Sequence, residues 1–306
     1  MILAIFKRAF LYLFTIALMG VSAAGWAVSV PPSVQVTDAV GNRVHLSAPA
    51  RRVVGLAPNI TELLYAAGVG PFVVGVADHS DYPLVARALP VVGGAGRIDF
   101  EQMLALHPDL VVVWGSATPT TQLGRLRRLG FAVYVSEPHT IADIAEELKR
   151  FGQLAHTEST ANTAADRFLR ELSDLRTRYS QRPSVSVFYE VWDHPLMSVG
   201  AEHLLSRVIE LCGGRNILTE HGNLAPTISL ETVLAANPEA IVASEVPGWL
   251  NDWRAWPRLT AVDRGNLFEV SGDLLQRHTP RLLEGARLLC EALETARQRL
   301  HRATVQ

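Results

Sequence analysis

Two glutamates, Glu101 and Glu231, hold the same place in two copies of one segment. Residues 99–113 read DFEQMLALHPDLVVV and residues 229–243 read SLETVLAANPEAIVA, an offset of 130 throughout (99 to 229, 108 to 238). In each copy a capping residue, Asp99 or Ser229, opens a short helix. The glutamate sits in its first turn, Pro108 or Pro238 ends it, and an apolar strand follows. A carboxylate at that position complements the positive end of its helix. One such charge per copy, exposed, would also steer and register a basic partner.

The remaining groups suited to chemistry are scattered. Cys212 and Cys290 are the two cysteines. They read as a disulfide if the chain is exported and as buried thiols otherwise. Asp273 and Arg277 have the i,i+4 spacing of an ion pair on one helix face. Trp114 and Trp192 close two apolar strands, and His79 stands in a loop. Each aromatic also has a plain reading as packing, and the histidine as a hydrogen-bonded loop residue. A bare metal ion needs three or four converging ligands. His79, His194, Asp273 and His278 could contribute, but no HxH cluster is present, and no metal site is assigned. GGAGRID (93–99) has only part of a nucleotide-binding turn, and G-x-S-x-G and Walker A motifs are absent, so the chain is read as a non-enzyme.

The elements that must position these residues follow an α/β grammar. Residues 34–46 alternate around Gly41-Asn42 as a hairpin. Strands are expected at 51–57, 72–77, 110–114 and 131–136, with helices at 59–68, after Asp99, and at 120–130. Asn59 and Glu62 fit a capping pair and Gly68 a stop. The rhythm then breaks. Ala165, Phe168, Leu169, Leu172 and Leu175 fall on one face, predicting helices at 141–154 and 158–179. After Pro183 the pattern restarts with strands at 185–191, 240–244 and 267–271 and helices at 203–214 and 280–300. A duplicated unit implies two similar lobes. They are expected at 34–140 and 183–304, joined by the helical segment 141–182. The predicted fold class is α/β, two Rossmann-like lobes joined by one long rigid helix, with a ligand cleft between them.

Residues 1–27 read as a secretory signal peptide: Lys7 and Arg8, an apolar stretch at 9–21, then small residues to Ala27. Cleavage near Ala24 or Ala27 leaves about 280 residues, enough for two medium domains. Loss of Lys7 and Arg8 moves the formal charge from −2 to −4. There is no basic stripe, so nucleic acid is not an expected partner.

The landmarks RRVVGLAPNITELLYAAG, VVGVADHSDYP, the two acidic repeats, LCGGRNIL and DLLQRHTPR followed by LLCEAL resemble the periplasmic binding proteins of the helical-backbone class. These feed ABC importers. Within the class the chain is most similar to the cobalamin (vitamin B12) binders, over roughly residues 50–300. The resemblance implies capture of cobalamin or a related corrinoid as transported ligand, with no cofactor, by a periplasmic monomer. It implies delivery to a permease dimer in the inner membrane, with Glu101 and Glu231 docking on permease arginines. It places His79, Trp114 and Asp273 through Arg277 (Leu274, Leu275 and Gln276 between them) at the ligand. Asp273 and Arg277 would meet corrin amides, and His79 could coordinate cobalt. Leu274, Ala95 and Ala225 stand where the pattern has aromatics, and Trp192 could compensate. A haem or ferric-siderophore binder of the same class is the alternative. His79, His194 or His278 could serve as axial ligand to haem, and Arg277 and Arg97 could meet an anionic chelate.

Overall fold

The computed structural model describes residues 33–94, 96–219, 223–244 and 248–304, so the expected leader and Ala95 lie outside the described residues. A hairpin leads, β1 (Val34–Thr37) and β2 (Arg43–Leu46), antiparallel, with Val34, Val36, Val44 and Leu46 facing inward. Asp38 holds its turn by accepting from the backbone N–H of Val40 and Asn42.

The first lobe is built on β3 (Val53–Gly55), β4 (Val73–Val76), β7 (Leu110–Trp114) and β8 (Val133–Ser136), parallel and ordered β4-β3-β7-β8. These strands are nearly all buried, as expected of parallel strands covered on both faces. Helix α1 (Pro58–Ala66) follows β3. Gly93–Gly94 and Arg97–Ile98 pair as a small hairpin, β5 and β6, so GGAGRID is not a dinucleotide turn. This hairpin leads into α2 (Phe100–Ala105), whose Asp99 cap accepts from the N–H of Glu101 and Gln102. Helix α3 (Thr120–Arg128) links β7 to β8.

The second lobe repeats the plan. Strands β9 (Val185–Glu190), β10 (Gly214–Asn216), β11 (Ala240–Ala243) and β12 (Leu267–Glu269) are parallel in the order β10-β9-β11-β12. In chain order both sheets therefore run second, first, third, fourth, which is the structural counterpart of the sequence repeat. Its helices are α6 (Leu204–Leu211), α7 (Leu230–Ala236), α8 (Trp249–Trp253), α9 (Thr260–Asp263), α10 (Gly272–Leu275) and the closing α11 (Leu282–Thr304). Ser229 caps α7 as Asp99 caps α2. His107 and Asn237, each just before the repeat's proline, share a left-handed φ of 44°.

Between the lobes run α4 (Asp143–Ala155) and α5 (Glu158–Tyr179), joined through left-handed His156. A Cβ on Gly152 would lie 2.5 Å from Ala161 Cβ, so a glycine is what lets the two helices approach. Helix α5 spans about 33 Å at 1.5 Å per residue. It packs on α1 of the first lobe and on α6 and α11 of the second, through Phe168, Leu172, Leu175 and their neighbours. Cys212, at the end of α6, is disulfide-bonded to Cys290 on α11. Arg297 of α11 adds a second tie by donating to the carbonyls of Cys212 and Gly213. Among the described residues no helix is long and apolar enough to cross a membrane.

One local expectation is overturned. Asn59 and Glu62 do not cap α1. Its cap is Ala57, with no side-chain bond, and Pro58 fills the first turn, where a missing N–H costs nothing. Glu62 instead turns across to the other lobe.

Candidate functional site

In parallel sheets ligands meet the carboxyl ends of the strands where the order reverses, here beside β3 and β7 and beside β9 and β11. The hollow at these ends measures about 290 Å³. Trp114 enters it from the end of β7, Asn59 from the start of α1, and Glu137 from beyond β8. His203, which caps α6, faces them with Gln276, Arg277 and His278 from the segment after α10. A larger groove of about 840 Å³ runs along α5 and is lined by arginines and carboxylates in mixture. It does not lie at the strand ends, so the smaller cleft is the candidate site.

The cleft is polar, with two carboxylates, Glu137 and Glu202, and one guanidinium, Arg277, in its lining. His278 packs edge-on against Trp114, ring centres 5.2 Å apart, and against His203 at 5.6 Å. Burial pushes the His203 imidazole down to about 4. Burial, with the charge of His203, takes His278 to about 3. Both are neutral at pH 7. Gln276 donates to Ser244 Oγ at 2.7 Å.

Arg277 is the cleft's guanidinium, and it is already neutralised. Its Nη1 meets Glu62 Oε1 at 3.0 Å and Asp81 Oδ1 at 2.8 Å, both from the first lobe, and its Nη2 meets Asp273 Oδ1 at 2.9 Å. Thr279 and Arg281 also donate to Glu62. Burial pushes the Glu62 carboxyl up, against the pull of Arg277, Thr279 and Arg281. Burial opposes ionisation of Asp81 too, but there the Arg277 bond and charge prevail and hold it below the usual carboxylate range.

The structure separates the residues expected at the ligand. Trp114, Gln276 and Arg277 line the cleft, and Asp273 reaches it through Arg277. His79 is exposed, at φ 59° in the turn that carries Asp81. Trp192 is 52% exposed on the rim of the second lobe, edge-on to Trp249. Leu274 and Leu275 do not line the cleft, contrary to expectation. Both are buried and pack towards Gly285 of α11, Leu275 wholly within the core. Ala225 lines the cleft at a place where an aromatic was expected. Sequence reasoning missed Asn59, Glu137 and His203, and assigned Glu62 to the wrong partner. No local pattern marks them, because their neighbours are far away in the chain. Glu101 and Glu231 are exposed in the first turns of α2 and α7, outside the cleft. Among the described residues no group of three or more His, Cys, Asp or Glu side chains could hold a metal ion.

Glu190 ends β9 behind the rim and is buried, accepting from Trp253 Nε1 at 2.7 Å. Burial raises its carboxyl to about 7, with Asp193 and Asp252 pushing the same way and Trp253 and His194 opposing. Between about 4.5 and 7 the folded chain thus holds a proton that the unfolded chain has lost. Stability from this group falls as pH rises through that window and stays lower above it. Glu190→Gln is expected to raise the urea midpoint at pH 8 and leave it unchanged at pH 4. Equal midpoints for parent and variant at both values would contradict the assignment.

Two parallel α/β lobes of identical strand order, spanned by a long helix with a polar cleft between them, define a binding-protein architecture. The profile of the family described as periplasmic binding protein matches residues 53–273, and the chain belongs to that family. The vitamin B12-binding protein of Vibrio cholerae is 35% identical over 254 residues, covering 82% of this chain and 91% of that protein. The vitamin B12-binding protein of Yersinia pestis is 33% identical over 246 residues, 80% of this chain and 86% of the relative. The crystal structure of the periplasmic vitamin B12 binding protein BtuF of Vibrio cholerae superposes with a TM-score of 0.77, covering 81% of this chain and 98% of that one at 35% identity. The heme-binding protein RhuT from Roseiflexus shares the fold, with a TM-score of 0.71 at 22% identity over 81% of this chain and 99% of its own.

Proposed function

We propose that this protein captures cobalamin or a related corrinoid in the periplasm and delivers it to an ABC permease, acting as a binding protein and not as an enzyme. The observation that carries the ligand class is the charge state of the cleft. The His203 and His278 imidazoles are neutral, Asn59 and Gln276 offer amides, Arg277 is already matched by three carboxylates, and the other acidic side chains of the lining, Glu137 and Glu202, offer no cation. Such a surface suits a ligand that presents amide donors and acceptors, as a corrin does. A ligand bearing carboxylates or an anionic chelate would want arginines free to pair with it. The named relatives at 35% and 33% identity support the same reading.

A haem reading draws on one feature. A neutral histidine can serve as axial ligand to haem iron, and His278 stands beside Trp114. Calorimetric titration of the purified mature protein with cyanocobalamin, haemin and a ferric siderophore separates these readings. One-to-one binding of cyanocobalamin alone is expected. Binding of haemin without cyanocobalamin would transfer the assignment to haem.

A further inference from the structure

His203 and His278 face the cleft side by side from the second lobe, ring centres 5.6 Å apart. Burial disfavours the charged form of both, so each carries a single ring proton at pH 7. Which nitrogen holds that proton is decided by the fold. Nδ1 of His203 accepts the backbone N–H of Leu205 at 3.1 Å, the bond that caps α6. An accepting ring nitrogen carries no proton, so the proton of His203 sits on Nε2.

His278 reaches the same state by another route. Its Nδ1 is sealed from solvent and has no hydrogen-bond partner. A proton there would be a buried donor with nothing to receive it. Nε2 is not sealed, so a proton on that side is met by water or by cargo. The lone pair then left on Nδ1 is the milder fault, since an unpaired acceptor is tolerated more readily than an orphaned N–H.

Metal-binding histidines are arranged the opposite way. One nitrogen holds the ion while the other donates its N–H to a carboxylate, a carbonyl or water. For His203 that would mean giving up the cap of α6, and for His278 burying an orphaned N–H. The two rings are therefore built to donate. Glu137 and Glu202 in the same lining disfavour an anionic acceptor, which leaves a neutral carbonyl oxygen. At about 290 Å³ the hollow falls just below the range of about 300–1,000 Å³ for small-molecule pockets. It accommodates a projecting amide arm and not a macrocycle.

We propose that His203 and His278 act on cargo as a fixed pair of Nε2–H donors that take amide carbonyl oxygens and do not ligate its metal. A corrinoid as the cargo rests on the function proposed above; the placement of the two protons does not.

The full mature chain, carrying isotope-labelled histidine, is examined by long-range proton–nitrogen NMR, which reads the nitrogen that bears each ring proton. Both rings are expected in the Nε2–H form, and a proton on Nδ1 of either would overturn the proposal. Calorimetry with cyanocobalamin then compares the parent with His278→Gln, which keeps a donor, and His278→Leu, which does not. The glutamine variant is expected to bind within about twofold of the parent and the leucine variant about three- to tenfold more weakly, the scale of one hydrogen bond. Equal losses in both variants, or none in His278→Leu, would contradict the donor role. Diaquocobinamide, whose axial waters exchange, tests ligation, and its visible spectrum is expected to be the same bound and free. A spectral shift in the parent that disappears in His278→Gln would mean that the ring takes the cobalt. If His278→Leu does not fold, the NMR result on the parent still decides. A parent with both protons on Nε2 that ignores cyanocobalamin removes the corrinoid reading and supports the donor pair.

Discussion

Replacing Glu101 and Glu231 together by arginine is expected to abolish uptake through the permease while leaving affinity for cyanocobalamin unchanged. Both carboxylates are exposed, in the first turns of helices that occupy equivalent places in lobes of identical strand order. The Glu231 carboxyl is held below its ordinary range by its own backbone N–H and by Ser229, so it is ionised at neutral pH. Helices α2 and α7 each run back to the start of the next strand, β7 or β11. Their first turns therefore open at the carboxyl edges of the two sheets, the edges that also frame the cleft. A two-fold permease would meet one negative charge per lobe. Reversing both turns attraction into repulsion at both contacts, which suppresses encounter and register. Neither residue lines the cleft, so ligand affinity has no reason to move. The measurement pairs calorimetry on the variant with uptake into vesicles carrying the reconstituted permease. Loss of cobalamin affinity, or undiminished uptake, would sink the separation of docking from binding.

Removing the disulfide with Cys212→Ala and Cys290→Ala is expected to cost about 4 kcal/mol of stability, the loop-closure value for a separation of 78 residues. For a chain of this size that lowers the melting temperature by roughly 10 °C. The fold should persist, because Arg297 still binds the carbonyls of Cys212 and Gly213 and the α6–α11 contact is apolar. Urea denaturation of the double variant beside the parent reads the difference. A loss below about 1 kcal/mol would mean that packing and Arg297 already confine these helices, leaving the cross-link little unfolded-state freedom to remove.

The architecture was largely written in local patterns. Helix α5 runs over the predicted 158–179 and β7 over the predicted 110–114, because a 3.6-residue stripe and a continuous apolar run are signals of the segment itself. The cysteine pairing was legible from the expected export and an even count. Short elements escaped: β10 has three residues and the β5–β6 hairpin two per strand, too few to show a period. The site was less legible. Glu62 reads locally as a cap for α1, yet its partners Arg277 and Arg281 lie 215 and 219 residues away. Leu274 and Leu275 sit inside a stretch assigned to the ligand, but α10 turns them into the core. Which face of a short helix meets the cleft is decided by the lobe behind it, and one segment's sequence does not carry that information.

The left-handed pair His107 and Asn237 shows what duplication offers an experimenter. Two residues of different chemistry share one φ, each followed by a proline and then a buried strand of its own sheet. Asparagine and histidine are both among the non-glycine residues enriched at positive φ. The molecule thus contains its own matched control. A change made at His107 can be made at Asn237, and the difference between the two results compares two surroundings at the same φ.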